Sequence, residues 1–286
     1  MIGTQPNPAF LGSQPRVAHT LRFSLQCRIP IPVKATVDVA ARFRQSAIKR
    51  FKESCGEDAH SFALSGHEPI PKGVEGDHQH ANFLPVPWDF TSGNAIEEIH
   101  IWAPCGFTQT EVEALMRVKT VHWSPSKYPI RPILTSIDQQ KPAFLSVNPA
   151  KVWHSLTPYV PPRHFYRGNL HRAKLKQKDS PEVQLAADLD RLGIRRPLEI
   201  HRIPIDPKSS ADHPPQIAWE IVRTPGNNPA FDNSIAAETR STKGKYERRI
   251  GFFFQLSFDH PIEIHRPLGH SSHFGLGLFV PTIEKP

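Results

Sequence analysis

Residues 20–30, TLRFSLQCRIP, set Leu21, Phe23, Leu25 and Cys27 in alternation with polar residues. A period of two is that of a half-buried β-strand. Asp38 then stands where it can cap a helix running to about Ser54, whose apolar positions Ala40, Phe43, Ala47 and Phe51 step by three or four. Arg42, Gln45, Lys49 and Lys52 fall on another face and make it basic, as a solvated helix face or a binding one. HQHANFLP (78–85) reads as a second strand. A Gly93-Asn94 turn leads to a third, IEEIHIWA, at 96–103. Thr108 or Thr110, with Glu111 or Glu113 three residues on, forms a capping box opening a helix to about Val118. A strand near 130–137 closes the unit.

That order, strand–helix–strand–strand–helix–strand, is the ferredoxin-like pattern. A second round follows. Its first strand lies at 152–160, and Ser180 and Pro181 open a helix that Gly193 ends, with Leu185, Leu189 and Leu192 as its buried stripe. A strand at 198–205, polar insertions at 207–215 and 225–245, and a strand at 250–258 (Phe252, Phe254, Leu256, Phe258) come next. Gly269, Gly275 and Gly277 precede a terminal apolar strand. The expected class is α+β: two tandem ferredoxin-like (βαββαβ, RRM-like) domains, the second with a reduced second helix and a C-terminal glycine-rich loop. Residues 1–17, rich in Gly, Pro and polar groups, read as a leader or linker, 18–145 as the N-terminal domain and 146–286 as the C-terminal one. The halves share no detectable sequence repeat.

Composition agrees with this plan. A chain of 286 residues with 38% hydrophobic content can bury real cores, and 30 prolines favour turns and short strands over long helices. No apolar run reaches the length of a membrane span. Cys27, Cys55 and Cys105 are widely spaced, which fits neither a metal-ligand pattern nor an even disulfide framework, so a reduced, cytoplasmic protein is expected. A formal charge of +8 favours a polyanionic partner such as nucleic acid.

The chemistry gathers in residues 64–85, LSGHEPIPKGVEGDHQHANFLP, where His67, His78 and His80 fall within fourteen residues, beside Glu68, Lys72, Glu75 and Asp77. On a strand His78, His80 and Asn82 share one face, while Ala81 and Phe83 anchor the other in the core. Imidazole titrates near neutrality and serves as base or acid. His-x-His on one strand face is also a plausible ligand pair, but no third and fourth ligand lie at tight spacing. Residues 161–178, PPRHFYRGNLHRAKLKQK, interleave Arg163, Arg167, Arg172, Lys174, Lys176 and Lys178 with His164, Phe165 and Tyr166, so cations can meet phosphates while rings stack on bases. Near the end, the glycines permit a tight loop whose amides could approach a phosphate, although the spacing is not that of a nucleotide fingerprint.

SGH (65–67), DHQHANFLP (77–85), IHIWAPCGF (99–107), SLTPYVPPRH (155–164) and LGHSSHFGLGLF (268–279), in that order, resemble the repeat-processing endoribonucleases of CRISPR systems. These belong to the RAMP superfamily, and the chain is similar to the processing half of the type I-U fused subunit from about Val17 onward. The resemblance implies a metal-independent enzyme without cofactors, in which a 2′-hydroxyl attacks the scissile phosphate of a repeat. His67 and His80, with His78 in reserve, are the implied base and acid, and Lys72 lies near the phosphate. Arg163, His164, Arg167, Arg172, Lys174, Arg266, Gly269, His270, His273, Gly275 and Gly277 are the expected RNA contacts. One departure stands out: the glycine loop carries His270 and His273 but no Lys or Arg, with Arg266 just upstream. Guide RNA, other effector subunits and a backbone-capping half, fused or associated, are the expected partners, and no membrane is. The alternatives are a non-catalytic guide-RNA-binding subunit and a metal-dependent phosphoesterase using the histidines.

Overall fold

β1 spans Arg16–Gln26 and runs between two antiparallel neighbours at the centre of a four-stranded sheet. The structure, a computed structural model, describes residues 15–65, 80–86, 95–123, 126–163, 166–167, 174–175, 177–203, 219–225 and 246–282. These form an α+β chain with antiparallel sheets, in two compact units, one up to Pro142 and one from Ala143 onward.

In the first unit β1 is followed by β2 (Ile31–Pro32), α1 (Thr36–Cys55), α2 (Phe62–Ser65), β3 (Asn82–Val86), β4 (Ala95–Ile96), β5 (Glu98–Thr108), α3 (Gln109–Met116) and β6 (Arg131–Asp138). The main sheet has the order β3-β5-β1-β6, and β2 pairs with β4 alone. Leu21 and Phe23 of β1, Phe83 of β3 and Ile99 and Ile101 of β5 are fully buried, as are Ala40, Phe43 and Ala47 of α1. The Phe43 ring sits 5.2 Å from that of Phe23 and 6.3 Å from that of Phe83. The period-two face of the sheet and the period-3.6 stripe of the helix therefore meet as the alternation implied. Each such ring, taken from water, contributes about 3 kcal/mol.

Two local expectations change. Asp38 does not cap α1. A 3-10 turn at Val33–Ala35 carries the chain into the helix, the Thr36 hydroxyl donates to Val33 O (2.6 Å), and Asp38 lies inside the first turn against Arg42. Strand β3 begins only at Asn82, so His80 lies before the strand. The capping box is made by Thr108 and Glu111, the first of the two pairs considered.

The second unit comprises β7 (Ala150–Ser155), β8 (Tyr166–Arg167), β9 (Lys174–Leu175), α4 (Pro181–Arg191), β10 (Glu199–Arg202), β11 (Trp219–Pro225), β12 (Tyr246–Gly251), β13 (Phe254–Ile262) and β14 (Phe279–Pro281). Its sheet runs β10-β13-β7-β14. Counting only the sheet strands of each unit, both orders read second–third–first–fourth. Trp153, Phe254, Leu256 and Phe279 on one face pack with Leu185 and Leu189 of α4. Ser180 caps α4 by accepting from Val183 N–H, Pro181 is its first residue, and Gly193 follows its end at φ +69°. Between β13 and β14 the described structure has a single 3-10 turn, Ser272–Phe274, where the first unit has α3.

The strand expected at 250–258 is broken. Phe252 N–H donates to Tyr159 O and Tyr159 N–H to Phe252 O (2.9 and 2.8 Å), which draws Phe252 off the sheet between β12 and β13. β11 and β12 pair with each other as a separate ribbon. Residues 207–215 and 226–245 of the expected insertions lie outside the described residues.

Candidate catalytic and nucleic-acid-binding residues

α2 is four residues long, and its last three carbonyls are all claimed from outside. Ala81 N–H donates to Ala63 O (2.7 Å), while Arg44 of α1 donates from Nε to Leu64 O (2.9 Å) and from a terminal nitrogen to Ser65 O (2.6 Å). A single turn of helix is unstable alone, so such bonds hold it. Its start is held as firmly. The Ser61 hydroxyl donates to Glu111 Oε1 (2.5 Å), and Leu64 N–H donates to the same hydroxyl oxygen (2.9 Å). Glu111 Oε2 accepts from Thr108 N–H (2.8 Å), the Thr108 hydroxyl (3.0 Å) and Arg16 (3.0 Å). One buried carboxylate thus ties β1, the approach to α2 and the first turn of α3 together. The signal for Glu111 was its capping box; nothing in the sequence marks Arg44 as the partner of α2.

The histidine stretch leaves this neck and returns to it. His67, Lys72 and His78 lie outside the described residues. His80 is half-buried at the bend before β3, its Nδ1 3.3 Å from Ala81 O. The bond from Ala81 N–H to Ala63 O fixes the residue next to it against α2. Other histidines, on the sheets, form no pattern visible in the sequence. His100 is buried against Glu98 (3.1 Å), which also pairs with Arg22 (3.3 Å). Burial lowers the His100 pKa below its ordinary 6.5, with the Glu98 carboxylate pulling the other way. In the second unit His154 of β7 and His201 of β10 both stand in register with Gln255 of β13, one on each side. Burial also lowers the His154 pKa.

Of the basic loop, Arg163 is placed in full. Its N–H donates to Gln184 Oε1 (2.7 Å), and Gln184 Nε2 returns bonds to Arg163 O (3.0 Å) and Asp179 O (2.7 Å). Its guanidinium, well exposed, lies 3.3 Å from Asp179. The segment read as a plain loop contains a ribbon in which Tyr166 opposes Leu175 and Arg167 opposes Lys174. His164 and Arg172 lie outside the described residues. Beneath Arg163, the buried Tyr159 hydroxyl donates to Asp188 Oδ2 (2.9 Å), and Asp188 also meets Arg191. Burial, aided by Asp188, pushes the Tyr159 hydroxyl far above its ordinary value. Burial likewise raises Asp188, against the Tyr159 and Arg191 bonds.

The glycine segment does not offer its amides in the way expected. Gly277 N–H donates to Pro158 O (2.9 Å), Gly275 N–H to Ser272 O (2.9 Å) and His270 N–H to Val160 O (2.8 Å). Thr157 then bridges from its hydroxyl to Gly275 O (2.7 Å) and accepts from Leu278 N–H (2.9 Å). Gly275 and Gly277 have φ of +83° and +67°, and both are buried. Room for a phosphate at these two amides is therefore not their reason for being glycine; backbone conformation is. A Cβ on Gly269 would meet Val160 O at 2.6 Å, so that residue too is fixed by packing. His270 and His273 are half-buried, the latter ring 4.1 Å from that of Phe274, and Arg266 is half-buried in the bend after β13.

Among the described residues no group of three or more His, Cys, Asp or Glu is placed to hold a metal ion, and no helix is long and apolar enough to cross a membrane. No protein-family model and no curated protein matches the chain. Solved structures similar to it are a CRISPR associated protein Cas6 (12% identity, 93% of this chain and 100% of that one covered, TM-score 0.41) and an RAMP protein binding different RNA substrates (11%, 92% and 98%, TM-score 0.38). A Cas6b is similar too, at 10% identity, with 92% of this chain and 100% of that one covered and a TM-score of 0.38.

Proposed function

We propose that the chain is a CRISPR repeat-processing endoribonuclease of the RAMP superfamily, of the type I-U kind, built from two tandem ferredoxin-like units. The observation that carries this reading is the shared strand order. Both four-stranded sheets run second–third–first–fourth, and in the second unit a glycine-rich segment stands where the first has α3. That is the architecture the sequence resemblance implies, and it supports the activity that goes with it.

The 2′-hydroxyl upstream of the scissile bond attacks phosphorus while the 5′-oxygen of the next nucleotide leaves, giving a cyclic phosphate and a 5′-hydroxyl. A base takes the proton of the attacking hydroxyl, an acid supplies one to the leaving oxygen, and cations offset the phosphorane charge. His67 and His80, with His78 as the third candidate, fill the first two roles, and Lys72 the last. The neck at Ala63–Ala81 gives His80 a fixed base from which to act. Arg163, His164, Arg167, Arg172 and Lys174 hold the RNA. His270, His273 and Arg266 line the RNA path from the glycine segment, while Gly269, Gly275 and Gly277 shape that segment. The enzyme then keeps its product as a subunit of an effector complex, beside a backbone-capping half.

Cleavage of end-labelled repeat RNA in EDTA tests this. A cut leaving a cyclic phosphate supports the enzyme. Tight binding without a cut assigns a guide-holding subunit instead, and cutting only with a divalent ion assigns a metal-dependent phosphoesterase.

A further inference from the structure

One cluster of charge in the first unit shares no residue with the histidine stretch or the neck. It lies where β1 ends and β6 begins. The Arg28 guanidinium carbon is 5.1 Å from the centre of the Tyr128 ring, and Lys127 Nζ is 5.5 Å from the same centre. Both cations are exposed and the ring is half-buried. The turn that presents the ring is bonded internally: Tyr128 N–H donates to Ser126 Oγ (2.9 Å), the Ser126 hydroxyl to Tyr128 O (3.2 Å), and the Cys27 thiol to the same carbonyl (3.7 Å). A third exposed cation, Arg131, opens β6 opposite Gln26 of β1.

Most arginines of the unit are balanced by acid. Arg16, Arg22, Arg42, Arg50 and Arg117 each lie against a carboxylate. Among the described residues no carboxylate pairs with Arg28, Lys127 or Arg131. Arg28 and Lys127, gathered on one ring, repel, and the π-face that attracts both only partly offsets this. An anion bridging them relieves the repulsion. Cations spaced around an aromatic side chain are the means by which proteins track a single-stranded nucleic-acid backbone.

We infer that Arg28, Lys127, Tyr128 and Arg131 form a contact for the phosphodiester backbone of single-stranded RNA. Arg28 and Lys127 take phosphate oxygens, and Tyr128 holds the two cations side by side. The inference rests on the chain being an RNA-binding protein.

The test measures binding of a fluorescein-labelled oligouridine to the full chain across a salt series. The double variant Arg28→Gln/Lys127→Gln lowers the slope of log affinity against log salt by about 1.4, or about 0.7 for each phosphate that the variant no longer neutralises. Tyr128→Leu gives part of that reduction and Tyr128→Phe none. An unchanged slope in the double variant, with parental binding intact, overturns the cluster and leaves the proposed function standing. A parental chain that binds neither oligouridine nor repeat RNA overturns both. Polyglutamate competing as well as unlabelled oligouridine also overturns the inference, because it assigns the cluster to an acidic protein surface.

Discussion

Gly277→Ala separates the fold from RNA binding in the glycine segment. At φ +67° an L-residue is strained by about 1–2 kcal/mol. The added Cβ would stand 1.9 Å from Leu268 O and 2.9 Å from Leu268 C, both backbone atoms that no rotamer change can move. Relief requires the two segments to part, which breaks the 2.9 Å bond from Leu268 N–H to Gly277 O at a cost of about 1 kcal/mol. Overpacking in a tight interior adds about 1–3 kcal/mol. The sum, about 3–6 kcal/mol, corresponds to a fall in Tm of about 10–20 °C for a unit of this size. Differential scanning calorimetry of the full chain reads it directly. Gly193→Ala is the control. Its φ is +69°, yet nothing lies within 4 Å of the new methyl group, so it loses only the conformational part, about 1–2 kcal/mol. A Gly277→Ala protein melting within about 3 °C of the parent, but with weakened RNA binding, would refute the reasoning and restore a phosphate contact at this amide.

Other outcomes follow from the two sheets. His80→Ala slows repeat cleavage by about a hundredfold or more at parental RNA affinity; parental single-turnover rates would remove His80 from the mechanism. Because burial lowers the His100 pKa, the unfolded chain takes a proton that the folded chain refuses as pH drops below 6.5. Stability present above that value is then lost down to the folded pKa, so urea melts of His100→Gln show a flatter pH dependence there than the parent. Glu111→Ala orphans Ser61, the Thr108 N–H and Arg16 at once, which costs about 3 kcal/mol or more by urea denaturation; a loss under about 1 kcal/mol would show the network to be idle.

Much of the fold is legible because it rests on local pattern. The alternation of Leu21 and Phe23, the stripe of Phe43 and Ala47, the Thr108–Glu111 box and the Ser180-Pro181 start all state their structure within a few residues. What misled was partnership at long range. Asp38 looks like a cap until the chain from Pro32 is seen to enter α1 by a 3-10 turn. Phe252 keeps the strand period but is claimed by Tyr159, and the amides of Gly277 and Gly275 look open until Pro158 and Ser272 are seen to accept from them. The site is legible to a lesser degree. Its histidines announce their chemistry, but the neck that holds His80 depends on Arg44 and Glu111, which sit on other elements. Arg28 and Tyr128 are a hundred positions apart in the chain, so no reading of either stretch alone joins them.

β7 has consequences for how the protein is made. It lies between β13 and β14, so the middle strand of the second sheet is synthesised first and both its neighbours last. At a ribosomal rate of roughly 5–20 residues per second, Trp153 waits about 6–25 seconds for Phe279–Pro281 to be made. β1 of the first unit waits in the same way for β5 and β6, but β6 is complete before β7 is translated. A nascent chain halted between β7 and β13 therefore carries one finished unit and one unpaired apolar strand, the species that holdase chaperones capture.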